Sequence, residues 1–90
     1  MLCIVAYDIV NDGTRTQIAN ELENWGARVQ YSVFECDLTE RRTKELSRRL
    51  AQFMAAGDSI RIYRLCETCR GRAIVLGGKP VTVDKKFYQI

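Results

Sequence analysis

The stretch MLCIVAYDIV, residues 1–10, is an apolar run that carries a single carboxylate, Asp8. A run so rich in aliphatic side chains, with no charge before Asp8, is typical of a central strand covered on at least one face. Turn-forming residues occupy positions 11–13, so we expect Asp8 at the carboxyl end of this strand. An acid in that position binds a metal, joins a hydrogen-bond network with the 11–13 turn, or is simply exposed.

The composition indicates one small globular domain. A length of 90 residues allows a single core, and 47% hydrophobic with 28% charged residues argues against disorder. The absence of histidine excludes imidazole catalysis and most zinc-enzyme designs. The net charge of +3 weakly favours an anionic partner. The apolar start lacks the basic residues of a signal peptide and no stretch is long enough to span a membrane, so we expect a cytoplasmic protein without a membrane partner.

Two stretches have apolar residues at helical spacing. The first covers residues 12–25, with Asp12 as the expected cap and Gly26 as the expected left-handed stop. The second begins after its expected cap, Thr39, and ends at Gly57. The two apolar stripes consist of Ile18, Leu22 and Trp25, and of Leu46, Leu50 and Phe53.

Extended segments alternate with these helices. Residues 28–38 alternate in polarity, but the alternation slips near Ser32, which predicts a bulge or tight turn and therefore two short strands or one bent strand. Residues 58–65 form a further predicted strand, residues 66–71 a polar loop, and residues 73–76 a short apolar strand.

The order strand, helix, strand, strand, helix, strand predicts an α+β protein with the ferredoxin-like, or split βαβ, arrangement. We assign this domain to residues 1–78. Residues 79–90 are predicted to form an extra C-terminal strand and a basic, aromatic tail that contacts the dimer partner or another protein by adding to a sheet edge. Two helices would cover one face of the sheet, and the other face would be available for a homodimer or for nucleic acid.

Three segments of the sequence resemble a known family. The strand end Tyr7-Asp8, Arg15 after it, and the segment RVQYSVFE, residues 28–35, are together similar to the small CRISPR-associated adaptation nucleases of the Cas-two family. The resemblance covers residues 1–65. Gln17 stands where some members carry a second arginine.

The resemblance implies a homodimer with one of two functions. In the first, the protein is a metal-dependent endonuclease that cleaves RNA or DNA. In the second, it is a non-catalytic scaffold that binds double-stranded DNA for the Cas-one integrase during spacer acquisition. Carried over by position, Asp8 is the metal-binding catalytic acid, and the other functional positions are Tyr7, Arg15, Arg28 and Phe34.

The chemistry of magnesium sets a condition on Asp8. Mg²⁺ keeps several waters and usually takes one or two carboxylates, so one aspartate in one subunit is a poor site. A two-fold axis that brings two Asp8 side chains together would make an adequate one. Such an ion would polarise a phosphoryl oxygen and activate water in a protein that has no histidine base.

The neighbouring residues each have a structural alternative. Arg15 either binds a phosphate or pairs with acids such as Asp12. Tyr7 is expected on the sheet face opposite to that of Asp8, where it packs in the core or in a dimer contact. A phenylalanine such as Phe34 more often packs in a core than stacks on a nucleic-acid base. Arg28 is either a phosphate contact or an ordinary charge at the start of a strand.

Two groups of basic residues are candidates for nucleic-acid binding through the phosphate backbone. The alternative for each group is a solvated face. On the second helix the group consists of Arg41, Lys44 and Arg48, and on the last strand it consists of Arg61 and Arg64, continued by Arg70 and Arg72.

The pair Cys66 and Cys69 is half of a zinc site, a redox pair, or an unliganded loop. The only other thiols, Cys3 and Cys36, fall inside predicted strands and are expected to be buried. The predicted loop also lacks the strand-to-helix setting of a thioredoxin-type site. We therefore expect an unliganded or adventitiously oxidised loop.

Overall fold

The computed structural model describes residues 1–77. It contains four strands and two helices in the order of the split βαβ arrangement, followed by one additional short helix. The predicted tail of residues 79–90 lies outside the described residues. The elements are β1 (Leu2–Asp8), α1 (Asp12–Glu23), β2 (Ala27–Gln30), β3 (Val33–Asp37), α2 (Glu40–Ala51), β4 (Ser59–Leu65) and α3 (Glu67–Gly71).

The first strand is the centre of the sheet. The strand order is β2-β3-β1-β4, and β1 pairs antiparallel with β3 and with β4. The strand β3 lies between β1 and β2, which is the split of the βαβ unit. The fold class predicted from the alternation of helical and extended patterns is confirmed.

The core lies between one face of this sheet and the helices α1 and α2. The alternate residues Cys3, Val5 and Tyr7 of β1 point into it, and all are buried. The helical stripes supply the other side, except that Trp25 and Phe53 lie beyond the ends of α1 and α2 and are only partly buried, so the predicted helix ends near residues 25 and 57 were wrong. The fully buried residues of the two helices are Ile18, Leu22, Leu46 and Leu50.

The cap of α1 is Asn11, one residue before the predicted cap Asp12. Asn11 has extended backbone angles, φ −87° and ψ 129°, and its side chain accepts a hydrogen bond from the Thr14 amide at 2.9 Å. Asp12 is the first helical residue and pairs with Arg15 instead. Both residue types cap well, and the expectation for Asp12 was wrong because the chain turns into the helix one residue earlier. Thr39 caps α2 as predicted.

Gly26 ends the first helical unit for a reason other than a left-handed backbone. Its φ is not positive, unlike that of Gly57. A Cβ at this position would lie 2.6 Å from the Cys36 sulfur and 2.8 Å from the Cys36 Cα. Glycine is required there because the chain passes directly against β3.

The slip of polarity near Ser32 corresponds to a tight turn. Residues 31 and 32 form the turn between β2 and β3, and the pairing of these strands shifts register between Arg28 and Gln30. The prediction of two short strands with an irregularity is confirmed. The irregular segment brings Arg28 and Tyr31 to the surface at the same end of the sheet.

The segment after β4 differs from its prediction. Residues 67–71 form the short helix α3 in place of a loop, and residues 73–76 are not part of the sheet. The helix starts because the Cys66 sulfur accepts the Cys69 amide, a capping contact that cysteine seldom supplies and that the sequence did not suggest. Arg70 then holds α3 to Asp37, with Arg70 Nη2 3.0 Å from the carboxylate.

Within residues 1–77, a helix covers the second face of the sheet only at one end. Strand alternation places Asp37 on the face away from α1 and α2, so its bond to Arg70 brings α3 onto that face near the buried Leu2. The rest of this face carries the side chains of Ile4, Ala6 and Asp8, with no helix of the described chain over them. None of the helices in residues 1–77 has the length and apolarity to cross a membrane.

Candidate functional site

Asp8 is the last residue of β1 and its side chain is exposed. It lies opposite Ser59 of β4, on the face away from α1 and α2. Within residues 1–77, no hydrogen bond or ion pair involves its carboxylate. An exposed carboxylate without a protein partner is free to accept a ligand.

The turn after β1 is held by other residues. Asn11 caps α1, and the Asp58 carboxylate accepts hydrogen bonds from the amides of Val10 at 3.0 Å and Ala55 at 2.8 Å. These backbone donors, Val10 first, lower the pKa of Asp58 below its usual value. The alternative in which Asp8 serves the hydrogen-bond network of the turn is therefore wrong for the described chain.

Arg15 is fixed beside the end of β1. Its Nη1 donates to the Asp12 carboxylate at 2.6 Å and its Nη2 donates to the carbonyl of Ile9 at 2.8 Å. The hydrogen bond to Asp12 raises the pKa of Arg15. The expected pairing with Asp12 is present, and the bond to Ile9 holds the guanidinium one residue along the chain from Asp8.

Tyr7 and Phe34 lie beneath the surface of the site. Tyr7 is 6% exposed, and its hydroxyl donates to the Tyr31 carbonyl at 3.3 Å and accepts from Arg28 Nη2 at 3.4 Å. Phe34 is fully buried, with its ring centroid 6.3 Å from that of Tyr7. Because both rings are buried, they do not contact a substrate in this conformation. Both contact Arg28 instead and position its guanidinium.

Arg28 is held on three sides. Its Nε donates to the Tyr31 carbonyl at 3.2 Å, and its guanidinium carbon lies 5.6 Å from the Tyr31 ring centroid and 5.5 Å from that of Phe34. These contacts restrict the side chain but leave the residue exposed. Arg28 is a preorganised cation at the surface, which suits a phosphate group.

Tyr31 is the residue that the sequence analysis missed. It is 71% exposed and its ring contacts Arg28. After Asp12, a hydrogen bond with the Tyr31 side chain is a further reason that the pKa of Arg15 is raised. Tyr31 therefore links an arginine of α1 with an arginine of β2. The three side chains line a pocket of about 480 Å³ between α1 and the β2–β3 turn. An exposed aromatic residue in a turn beside a strand arginine was the available signal.

The basic residues divide between two faces. Lys44, Arg48 and Arg64 line a groove of about 420 Å³ between α2 and β4, where Arg64 lies 3.4 Å from Glu40. Arg61 is on the other face, in register with Ala6, and donates to the Tyr63 hydroxyl. Arg41 is exposed on α2. The structure thus brings together three of the five residues predicted to bind nucleic acid.

The residues present fit a metal site only when two copies contribute. No group of three or more possible ligand residues occurs within residues 1–77. Mg²⁺ nevertheless needs only one or two carboxylates because waters complete its coordination. The exposed and unpartnered Asp8 fits one half of such a site.

Comparison with known proteins agrees with these features. The family model described as CRISPR associated protein Cas2 matches residues 1–73. A CRISPR-associated endoribonuclease Cas2 of Chloroflexus aurantiacus is 40% identical over all of this chain and 98% of its own length. A CRISPR-associated endonuclease Cas2 of Thermus thermophilus is 44% identical over 89% of this chain and 86% of its own length.

A solved structure supports the same conclusion. One chain of a partial Cas6-RT-Cas1–Cas2 complex superposes on this protein with a TM-score of 0.76 and 28% identity, over 91% of each chain. The sequence match spans the strand end with Asp8, the two arginines and the basic helix α2 alike. The chain therefore belongs to the Cas2 family of CRISPR-associated proteins.

Proposed function

We propose that this protein is a magnesium-dependent phosphodiesterase that cleaves RNA or DNA at a site shared by two copies of Asp8. The observation that carries the proposal is the exposed Asp8 carboxylate, which no residue of the described chain binds and which ends a central strand beside the anchored Arg15. The names endoribonuclease and endonuclease of the Cas2 relatives support the same reaction.

The proposed site needs a dimer because it requires a second Asp8 carboxylate, which one chain does not have. One copy offers one exposed carboxylate at the end of β1, on a sheet face that the described helices leave largely uncovered, whereas Asp37 on the same face is bound by Arg70. A two-fold axis that passes through this face close to the end of β1 would place Asp8 of each copy opposite the other, because a residue next to the axis of an isologous interface meets its own copy. The partly buried Ile4, Ala6 and Val33 supply apolar area for that contact.

The arginines of each copy then bind the substrate. Arg28 and Arg15 face the pocket between α1 and the β2–β3 turn and hold phosphates by charge-assisted hydrogen bonds. Tyr31 keeps both guanidinium groups in place. When Mg²⁺ is bound by the two Asp8 carboxylates, it supplies Lewis acidity at the phosphoryl group.

The direct test compares Asp8→Asn with the parent protein on labelled RNA and on duplex DNA, with magnesium or with a chelator. The variant removes the charge and keeps the shape, so cleavage should fall by about 100-fold or more while binding of the substrate remains. Glu45→Gln removes a surface carboxylate from α2 and should cut normally. Cleavage that survives in Asp8→Asn, or in chelator, would refute the proposal.

The shared nature of the site has its own test. Parent and Asp8→Asn chains are unfolded together, refolded at varied ratios and assayed. If a site needs both carboxylates, an equal mixture should keep about a quarter of the activity. Activity of about half would show instead that each chain acts alone. Sedimentation of the same samples reports whether the dimer formed.

A scaffold without catalysis is the second candidate. The groove of Lys44, Arg48 and Arg64 favours it, as does the likeness to a chain of a Cas1–Cas2 complex. In this case the protein binds duplex DNA and the Cas1 integrase, and Asp8→Asn captures both as well as the parent does. Equal capture by both proteins without any cleavage would establish the scaffold.

A further inference from the structure

Cys66 and Cys69 occupy the junction between β4 and α3. Cys66 follows the last residue of the strand, caps the helix, and accepts the Cys69 amide on its sulfur at 3.4 Å. Both thiols are exposed, whereas Cys3 and Cys36 are buried. The strand-to-helix setting that the sequence analysis found missing is therefore present, and the interpretation of these residues as an unliganded loop needs revision.

The geometry permits a bond between the two sulfurs. The first and fourth residues of a helical turn have Cα atoms about 5 Å apart, within the range of disulfides. The Cys66 sulfur already lies 3.4 Å from the backbone nitrogen of Cys69, which places it next to the residue that it would join. No rearrangement of the sheet is needed, because the pair lies at its end.

The two thiols are chemically unequal. The amide of Cys69 lowers the pKa of Cys66, and the Cys66 sulfur in turn raises the pKa of Cys69. Burial raises the pKa of Cys36 to about 12 and removes it from reaction. Cys66 is thus the thiolate that attacks, and Cys69 is the thiol that resolves.

We propose that Cys66 and Cys69 form a thiol–disulfide exchange site that reacts reversibly with low-molecular-weight disulfides such as oxidised glutathione. This inference does not depend on the nuclease or the scaffold function. It rests on the pairing of two exposed thiols across one turn, with the buried thiols as an internal reference.

The reaction balances without a further oxidant. The Cys66 thiolate attacks one sulfur of the external disulfide, whose S–S bond breaks and releases one thiolate. Cys69 then gives up its proton and attacks the Cys66 sulfur, which forms the Cys66–Cys69 bond and releases the second thiolate. Two protein thiols are oxidised and one external disulfide is reduced to two thiols.

The bond would fix the base of α3. Arg70 of this helix is the residue that holds Asp37, and its side chain is only 9% exposed. A covalent closure of the preceding turn would restrain Arg70 against that partner.

The test uses the folded full-length protein and counts thiols by mass spectrometry after alkylation with N-ethylmaleimide. The reduced protein should take two labels, at Cys66 and Cys69. After treatment with oxidised glutathione it should take none and remain a single chain on a non-reducing gel, and dithiothreitol should restore both labels. Two labels after the treatment would overturn the proposal, and so would a disulfide between chains.

Two variants separate the roles of the thiols. Cys69→Ser should accumulate one glutathione on Cys66, and at least about threefold faster than Cys66→Ser accumulates it on Cys69. Serine at position 66 still caps the helix, so folding is preserved. Equal rates in the two variants would overturn the assignment. The protein could instead retain half an equivalent of zinc per chain, which blocks labelling until a chelator removes it. That result would overturn the exchange site and assign the two cysteines to a metal site between two copies.

Discussion

The guanidinium of Arg28 lies 5.5 Å from the ring centroid of Phe34, a side chain with no exposed surface. This contact joins the hydrophobic core directly to the candidate site. The Tyr7 hydroxyl bonds the same guanidinium from the core side at 3.4 Å. Core substitutions beneath Arg28 should therefore affect activity as well as stability.

Phe34→Leu tests this link. Removal of the ring should cost about 1–2 kcal/mol of the free energy of unfolding and also release Arg28, so that cleavage falls by about tenfold in conditions where the variant stays folded. Phe53→Leu is the matched control, because Phe53 packs on the core away from Arg28 and its loss should affect stability alone. Urea unfolding and cleavage rates are measured on both, and equal cleavage by the two would contradict the link.

Gly26→Ala should be among the most destabilising small substitutions in the protein. The added methyl group would meet the Cys36 sulfur at 2.6 Å and backbone of β3, so α1 and β3 must move apart. We expect a loss of about 2–3 kcal/mol in urea unfolding. Gly71→Ala, where a Cβ meets nothing within 4 Å, should leave stability unchanged or slightly raised. Similar losses at both positions would show that the clash is relieved cheaply.

The capping of α1 separates two adjacent residues. Asn11→Ala removes the acceptor of the Thr14 amide and should cost about 1 kcal/mol. Asp12→Ala removes only a surface partner of Arg15 and should cost less. Thermal unfolding of both variants ranks them. A larger loss at Asp12 would return the cap to the residue that the sequence predicted.

Stability at acid pH should depend on Glu21. Its carboxylate accepts from Arg49 Nε and Nη2, both at 3.1 Å, and from Trp25 Nε1 at 2.8 Å, and the bond from Arg49 is the main reason that its pKa is lowered from 4.5. A lowered native pKa stabilises the folded state above the unfolded value of 4.5, and this stabilisation is lost as pH falls through the native pKa.

Glu21→Gln should therefore lower stability at neutral pH and flatten the loss of stability between neutral pH and acid. Glu23→Gln removes a charge from the same helix without breaking the bonds from Trp25 and Arg49. Urea unfolding as a function of pH compares the variants. An acid profile of Glu21→Gln that is as steep as that of the parent would refute the assignment.

The basic groove should control the salt dependence of nucleic-acid binding. Lys44→Gln and Arg48→Gln each remove one phosphate contact, so the slope of log affinity against log salt should become shallower by about 0.9 for each on duplex DNA. Arg42→Gln is the control on the same helix, because Arg42 stacks on Trp25 at 4.3 Å and faces α1. Unchanged slopes for the two groove variants would remove this groove from the binding surface.

The periodicity of apolar residues was sufficient to predict the main helices and strands, but it did not predict correctly where they begin and end. The stripes of Leu22 and Leu50 and the apolar run of β1 report burial, which local spacing encodes directly. The cap of α1 was misplaced by one residue, since Asn11 and Asp12 both satisfy the local rule. The helix α3 was missed because its cap is a thiol and its length is little more than one turn.

In the candidate site, too, the local features could be predicted and the contacts between distant segments could not. That Asp8 ends a strand could be predicted from the residues around it, and its lack of a partner could not, because the acceptor that holds the turn is Asp58 from a distant segment. Tyr31 acquires its position only when the β2–β3 turn meets α1. The Cas-two resemblance selected Arg15 and Arg28 as functional positions, which stays a prediction, and it could not show that Phe34 contacts Arg28 from within the core.

The central position of β1 has a consequence for synthesis on the ribosome. This strand is translated well before both of its partners, residues 33–37 and 59–65. Its apolar side chains must remain unpaired until then, and pairing of such distant segments is slow. We expect the nascent chain to need protection by a chaperone until β4 has left the exit tunnel, because β1 stays without its sheet partners until then.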